Sequence, residues 1–366
     1  MKRTSFRRGV APAVAAIAAI SLTAACGAAN EDNGDTGGDS GLSGTLNGGG
    51  ASSQEAAQTA WRAGFQSANG SGVTVNYDPV GSGGGRESFI SGGFAFAGSD
   101  SYLADQELTD AAANCGADPI EVPAYVSPIA VVFNIDGVDE LNLSADVISQ
   151  IFNGKIAKWN DQAIADLNEG VKLPDADINA VHRADDSGTT ENFTHYLSVV
   201  APDAWPHGEV ETWPIKHGEG ATGTSGVISA VTDNPNSIGY ADASQAGDLG
   251  TVKVQVGTEF VAPSPEAAAK ILEVSPRVEG RPAVDMAVDL DHKTQEAGVY
   301  PIVLTSYLLA CQTYEDAATA DLVKGYLTYV VSSEGQKTAA ENAGSAPLSA
   351  TLSDEATKII SAISAK

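Results

Sequence analysis

The spacing of apolar positions along this chain predicts alternating helices and strands. Ala57, Trp61 and Phe65 recur every four residues and predict a helix with one buried face. Val73–Tyr77 alternates apolar and polar residues, the period of a half-buried strand. Phe94–Asp100, FAFAGSD, reads as a buried strand ending in Ser99 and Asp100, with the helix-like SYLADQEL behind it. From about Gly44 to Val132 the chain therefore reads as a parallel α/β lobe. Ser127–Asn134, SPIAVVFN, is a continuous apolar run and predicts a strand leaving that lobe. A second α/β segment follows over 133–299. It holds a helix Ser144–Phe152 stopped by Asn153-Gly154, a core Trp159, an alternating run from Ile178 to Arg183, and a strand around Ile238–Ala241. Tyr300–Leu309, YPIVLTSYLL, is a second continuous run and predicts the return crossing. Helices over Ala317–Val331, Glu334–Ala343 and Ser353–Ile363 then complete the first lobe over 300–366. The expectation is an α/β protein of two lobes, joined by two crossings, with a cleft between them.

Three loops repeat one chemistry. Asn47–Glu55, NGGGASSQE, leads three glycines into Ser52 and Ser53, and Ser52-Ser53-Gln54-Glu55 fits a capping box for the helix behind it. Gly81–Ile90, GSGGGRESFI, follows a strand and puts Ser82 at a helix start. Ile178–Leu197 runs through Arg183, two acids and Ser187-Gly188-Thr189-Thr190 before turning helical. Each alone reads as an ordinary N-cap. A helix start also leaves unpaired N–H groups and partial positive charge, and hydroxyls plus one guanidinium complete a socket for a small oxyanion. No loop completes a dinucleotide fingerprint, and none completes a Walker sequence, since Lys is absent where that needs it.

Asp100 looks out of place among these donors. An ionised carboxylate repels a fully deprotonated anion, yet it can accept a hydrogen bond from an anion that still carries a proton. Such a pocket takes hydrogen phosphate and rejects sulfate.

At this point seven segments carry a resemblance. NGGGASSQ, GSGGGRESF, FAFAGSDSYL, IFNGKIAKWNDQAIADLN, VHRADDSGTT, SIGYAD and VYPIVLTSYLL stand in the order and spacing of the substrate-binding protein of the high-affinity phosphate ABC transporter. The match spans about Gly44 to Lys366. The resemblance implies the type II periplasmic-binding-protein fold, with one inorganic phosphate buried between the lobes and ABC-transporter permease subunits as partners. It carries the phosphate contacts onto Ser52, the amide of Ser53, Ser82, Asp100, Arg183, Ser187, Gly188 and Thr189, with Asp185 bracing Arg183. The chain departs from the family pattern at Ser52, where Thr is frequent, at Gly83, where a second Ser is common, and at Asp186, where Gly is common. No cofactor is implied. Two alternatives stay open: a secreted phosphatase using the same pocket, and the same fold tuned to another oxyanion.

Composition places the protein outside the cytoplasm. Lys2, Arg3, Arg7 and Arg8 precede the apolar run Val10–Leu22, which is too short to span a bilayer. Thr23, Ala24 and Ala25 then lead to Cys26, resembling a lipoprotein signal in which Cys26 carries the lipid anchor; plain secretion with cleavage after Ala25 is the alternative. Residues 1–25 thus read as a signal peptide and 26–43 as a Gly/Asp-rich tether holding the folded body off the membrane. Without residues 1–25, 16 basic residues face 47 acidic ones, a net charge of −31. That excludes nucleic acid as a partner and leaves anion capture to short-range donors. Cys115 and Cys311 remain as an even pair in an oxidising compartment and predict a disulfide, against a rival reading of two buried free thiols.

Other constellations fall away. Gly38-Asp39-Ser40-Gly41 mimics a protease nucleophile segment but lies in the tether. Asp185, Ser187 and His195 lack the arrangement of a triad, and the five histidines show no metal spacing. His182 follows the strand toward the site and is a candidate cleft residue.

Overall fold

The computed structural model describes residues 41–366, excluding the side chains of Glu273 and Val274. Cys26, the basic start and most of the tether lie outside the described residues. The strands of the main sheet, in chain order, are β1 (Gly44–Gly50), β2 (Val73–Asp78), β3 (Phe96–Ser99), β4 (Ile120–Asn134), β5 (Leu141–Leu143), β6 (Asn179–Arg183), β7 (Glu219–Ala221), β8 (Ser237–Asp242), β9 (Gly250–Val256), β10 (Glu259–Val261) and β11 (Val303–Ala310). They hydrogen-bond in the order β2-β1-β3-β11-β4-β8-β6-β7, with β9 also on β4 and flanked by β5 and β10.

The two continuous apolar runs are the two strands that join the lobes. β4 is fifteen residues long and changes partner midway: β11 pairs with it up to Pro128, and β8 from Ile129 onward. Strands buried on both faces need no alternation, which explains why these runs read as uniformly apolar. β1, β2 and β3 are parallel, while β11 returns antiparallel to β3. The segment around Asp285–Met286, inside the 133–299 stretch, packs back against Glu121 at the start of β4.

Alternation then builds a core on each face. Phe96 shares a cluster with Trp61, Phe65 and Tyr326, and the Tyr326 ring meets both Phe65 and Phe96 edge to face, while its neighbour Ala97 packs with Phe89, Leu103 and Leu309. In the other lobe Phe133, Ile238 and Tyr240 pack with Phe152 and Phe193, and Val132 and Val181 pack with Val227 and Val231. Trp159 is fully buried, and its indole N–H donates to the Asn236 carbonyl at 3.0 Å. Such apolar faces supply most of the drive to fold.

Several expectations move when the strands are seen. The glycines of NGGGA end β1 rather than forming a loop. A Cβ on Gly48 would lie 2.3 Å from the Phe96 ring, and one on Gly50, at φ +139°, would lie 2.0 Å from the Gly98 carbonyl. The capping box at Ser52 does not form: Ser52–Gln54 is a 3-10 turn, the helix starts at Glu55, and neither serine caps it. After Asp100 the helix begins later than expected, at Asp105, where Glu107 accepts the N–H of Ala104 at 2.9 Å. Cys115 and Cys311 are bonded with Cα atoms 5.1 Å apart, so the free-thiol reading is overturned.

Candidate functional site

Loops far apart in sequence meet at the carboxylate of Asp100, the residue that follows β3. Ser53 Oγ donates to its two oxygens at 2.8 and 2.7 Å. Ser306 Oγ, on β11, donates to Oδ1 at 2.7 Å, and Thr189 Oγ1 donates to Oδ2 at 3.1 Å. A carboxylate offers about four lone-pair sites, and three hydroxyl protons face this one. One acceptor position is left for a guest that brings its own proton. Burial raises the Asp100 pKa above the usual carboxylate value, while the three hydroxyls and the charge of Arg183 oppose that shift.

Ser82 opens the helix Ser82–Ile90, and its Oγ accepts the N–H of Asp100 at 3.1 Å. Gly188 opens the helix Gly188–Val200, and a Cβ there would lie 2.7 Å from the hydroxyls of both Ser82 and Ser101. The two helix starts therefore abut, and only a residue without a side chain fits between them. Ser187 caps the second helix by accepting the N–H of Thr190 at 3.1 Å. Ser52 sits across from a further helix start, at Gly223–Asp233: its Oγ accepts the N–H of Thr224 at 3.0 Å and hydrogen-bonds Thr224 Oγ1 at 3.1 Å.

Arg183 ends β6 and is buried. Its Nε donates to Asp185 Oδ1 at 2.7 Å, and Nη2 donates to Oδ2 of the same carboxylate. The backbone N–H of Arg183 donates to Tyr240 Oη at 3.2 Å. Burial works to raise the Asp185 pKa, but Arg183 and the N–H of Gly223 outweigh it, so the carboxyl stays below its ordinary value. A Cβ on Gly81, at φ +92°, would lie 2.7 Å from Asp185 Oδ2. The ion pair is thus pressed against the loop ahead of Ser82.

The structure therefore brings Ser52, Ser53, Ser82, Asp100, Arg183, Asp185, Ser187, Gly188 and Thr189 into one connected set. His182 does not join them. It points to the opposite face of β6, stacks on Trp213 at 4.6 Å, and its Nδ1 bonds the Arg183 carbonyl at 2.8 Å. Burial lowers its pKa, as expected for a packed imidazole. Sequence reasoning missed Thr224 and Ser306. The run GATGTSG around Thr224 is another Gly/Thr/Ser helix start and was readable as one; Ser306 lies inside an apolar strand and gave no signal. The arrangement presents helix N-termini, hydroxyl donors and a braced guanidinium around one buried acceptor, which suits a small tetrahedral anion carrying one proton.

Residues 35–334 match the model of the PBP superfamily domain. The chain is 37% identical over 288 residues to phosphate-binding protein PstS 3 of Mycobacterium leprae (strain TN), covering 77% of this chain and 78% of that protein. It is 33% identical over 305 residues to phosphate-binding protein PstS of Xylella fastidiosa (strain Temecula1 / ATCC 700964), covering 81% and 79%. A solved phosphate-binding protein from Stenotrophomonas maltophilia superposes with a TM-score of 0.66 at 22% identity, covering 86% of this chain and 94% of that one. A high-affinity periplasmic phosphate-binding protein solved with phosphate gives a TM-score of 0.69 at 23% identity, covering 85% and 92%. Fold and site together define a two-lobe solute-binding protein of the PBP superfamily. Within it, the chain belongs to the phosphate-binding protein family.

Proposed function

We propose that this protein binds inorganic phosphate as hydrogen phosphate outside the cytoplasm and delivers it to ABC-transporter permease subunits for import. The single observation that carries this reading is the buried Asp100 acceptor, placed among hydroxyls, helix starts and Arg183. In this reading Ser52, the amide of Ser53, Ser82, Ser187, Gly188 and Thr189 donate to the phosphate oxygens. Arg183, held by Asp185, supplies the one full positive charge, and Asp100 takes the phosphate proton. The lobes comprise 44–132 with 300–366, and 133–299, closing about β4 and β11. Helix starts and hydroxyls contribute about 1 kcal/mol each and the Arg183 contact about 1.5–3 kcal/mol. Micromolar affinity requires roughly 8 kcal/mol net, so the set suffices after the costs of closure.

Residues 1–25 act as the signal peptide, Cys26 takes the lipid that anchors the protein to the outer face of the cell membrane, and 27–43 tether the body. Mass spectrometry of the N-terminal peptide from the membrane fraction tests this, and an unmodified Cys26 would sink it. Titration calorimetry with phosphate, sulfate, arsenate and molybdate tests the ligand. Phosphate bound tightly with sulfate ignored is the expected result; equal affinity for sulfate removes the role given to Asp100.

A further inference from the structure

Arg86 is buried in the helix Ser82–Ile90 and has no place in the anion socket. Its Nε donates to both oxygens of Glu107, at 2.9 and 3.0 Å, and Nη1 donates to Ser99 Oγ at 3.1 Å. Its Nη2 crosses the cleft and donates to Glu211 Oε2 at 2.6 Å. Burial disfavours the charge, but Glu211 and Glu107 more than offset it, so the guanidinium is held firmly protonated. A second contact crosses beside it, where Ser101 Oγ donates to Glu191 on the helix Gly188–Val200.

The carboxyl groups of Glu191 and Glu211 lie close together beside these contacts. Two ionised carboxylates so placed repel each other. Glu211 Oε1 is buried without a hydrogen-bond partner. Burial first, and then the charge of Glu211, push the Glu191 pKa up to about 8. The other titratable groups around Glu191 are Glu209 beside Glu211, Tyr102 and Asp100 after β3, His195 one turn along its own helix, and Asp289 ahead of β11. Arg86 is the cation bonded to its partner, backed by Glu107.

Resting on the phosphate reading, we propose that Arg86–Glu211 and Ser101–Glu191 form a latch across the cleft, in which Arg86, Glu191 and Glu211 are positioning residues that hold ligand in without touching it. Arg86 lies one turn after Ser82, and Glu191 one turn after Ser187, so each of the two helices whose starts face the anion is tied across the cleft, one to Glu211 and the other to Ser101. Its strength sets how slowly phosphate leaves.

Stopped-flow release and calorimetry with inorganic phosphate test this on the full chain and on two isosteric variants, Glu211→Gln and Glu191→Gln. Glu211→Gln is expected to speed release about tenfold, because the ion pair with Arg86 is reduced to a bond with a neutral amide, with association changed less than about twofold. For Glu191 the pH profile decides. Its pKa is raised when the latch is shut, so closing takes up a proton between the ordinary carboxyl value of about 4.5 and about 8. Wild-type affinity should therefore fall relative to Glu191→Gln as pH rises through that window, and the ratio should level off above it. Phosphate's own titration is common to both proteins and cancels in the ratio. Unchanged release from Glu211→Gln together with a flat ratio from pH 5 to 9 overturns the latch. A wild type that binds no phosphate overturns the functional reading instead.

Discussion

Asp100 separates two jobs that Arg183 does not. Removing the guanidinium costs any tetrahedral dianion the same charge-assisted contact, so Arg183→Ala should weaken phosphate by about 10–100-fold. Asp100→Asn keeps the hydroxyl network partly occupied but replaces an acceptor by an amide that can also donate. We expect a smaller loss for phosphate and a narrowed gap between phosphate and sulfate, both read by calorimetry. Equal losses for both anions would remove the selectivity role. A second residue speaks to acid stability. His292 is buried, its Nδ1 bonds the Pro301 carbonyl at 2.7 Å, and Nε2 has no partner. Burial, and then the nearby His195, hold its pKa at about 3. A depressed histidine binds its proton more readily unfolded, so its contribution is intact above about 6.5 and is lost as pH falls from there toward 3. Urea unfolding at pH 7 and pH 4 should show His292→Gln losing less stability on acidification than wild type, by a few kcal/mol at most. Parallel losses would mean that His292 charges freely in the fold.

At the scale of elements, helix starts carry the site, and their glycines set how closely they meet. The backbone at Gly188 is helical and accepts alanine, but the added methyl would press on Ser82, Ser101 and Asp100. Overpacking of this kind costs about 1–3 kcal/mol, here charged against the shut cleft. Gly188→Ala should therefore weaken phosphate by roughly 5–100-fold while the melting temperature of the ligand-free protein moves little. A calorimetric titration paired with a thermal scan checks it, and an unaltered affinity would show that the lobes need not abut at Gly188. These elements were largely legible in sequence, because strand-glycine-hydroxyl-helix is a local pattern with a local cause. β4 and β11 were legible as apolar runs, though not β4's full length, since Glu121 and Pro123 interrupt the apolar sequence without interrupting the strand. The turn at Ser52 was misread because its hydroxyls face the cleft rather than the helix they precede. Arg86 could not be read at all: in GGGRES it is an ordinary helix charge, and its cross-cleft partner Glu211 lies 125 residues away.

For the molecule as a whole, the long-range ties decide which changes reach the site. The 196-residue separation of Cys115 and Cys311 is large, yet both ends sit in the same lobe: Cys115 closes the helix Asp105–Cys115 and Cys311 follows β11. They share a small core with Phe89, Ala97, Leu103 and Leu309, on the face of β3 opposite Phe96. The bond therefore fastens a helix to its own sheet, on one side of the cleft. Chain entropy predicts on the order of 4–5 kcal/mol for so long a loop, and native disulfides commonly deliver about 2–4 kcal/mol. A Cys115→Ser, Cys311→Ser double variant should accordingly unfold at lower urea concentration by that free energy. Its phosphate affinity, measured well below the unfolding transition, should stay within about threefold of wild type, because none of Asp100, Arg183 and Ser187 to Thr189 depends on the bond. If affinity collapsed with stability still adequate, the disulfide would have to act on the cleft through Phe89 and the helix Ser82–Ile90, and the independence of the site from this staple would be wrong.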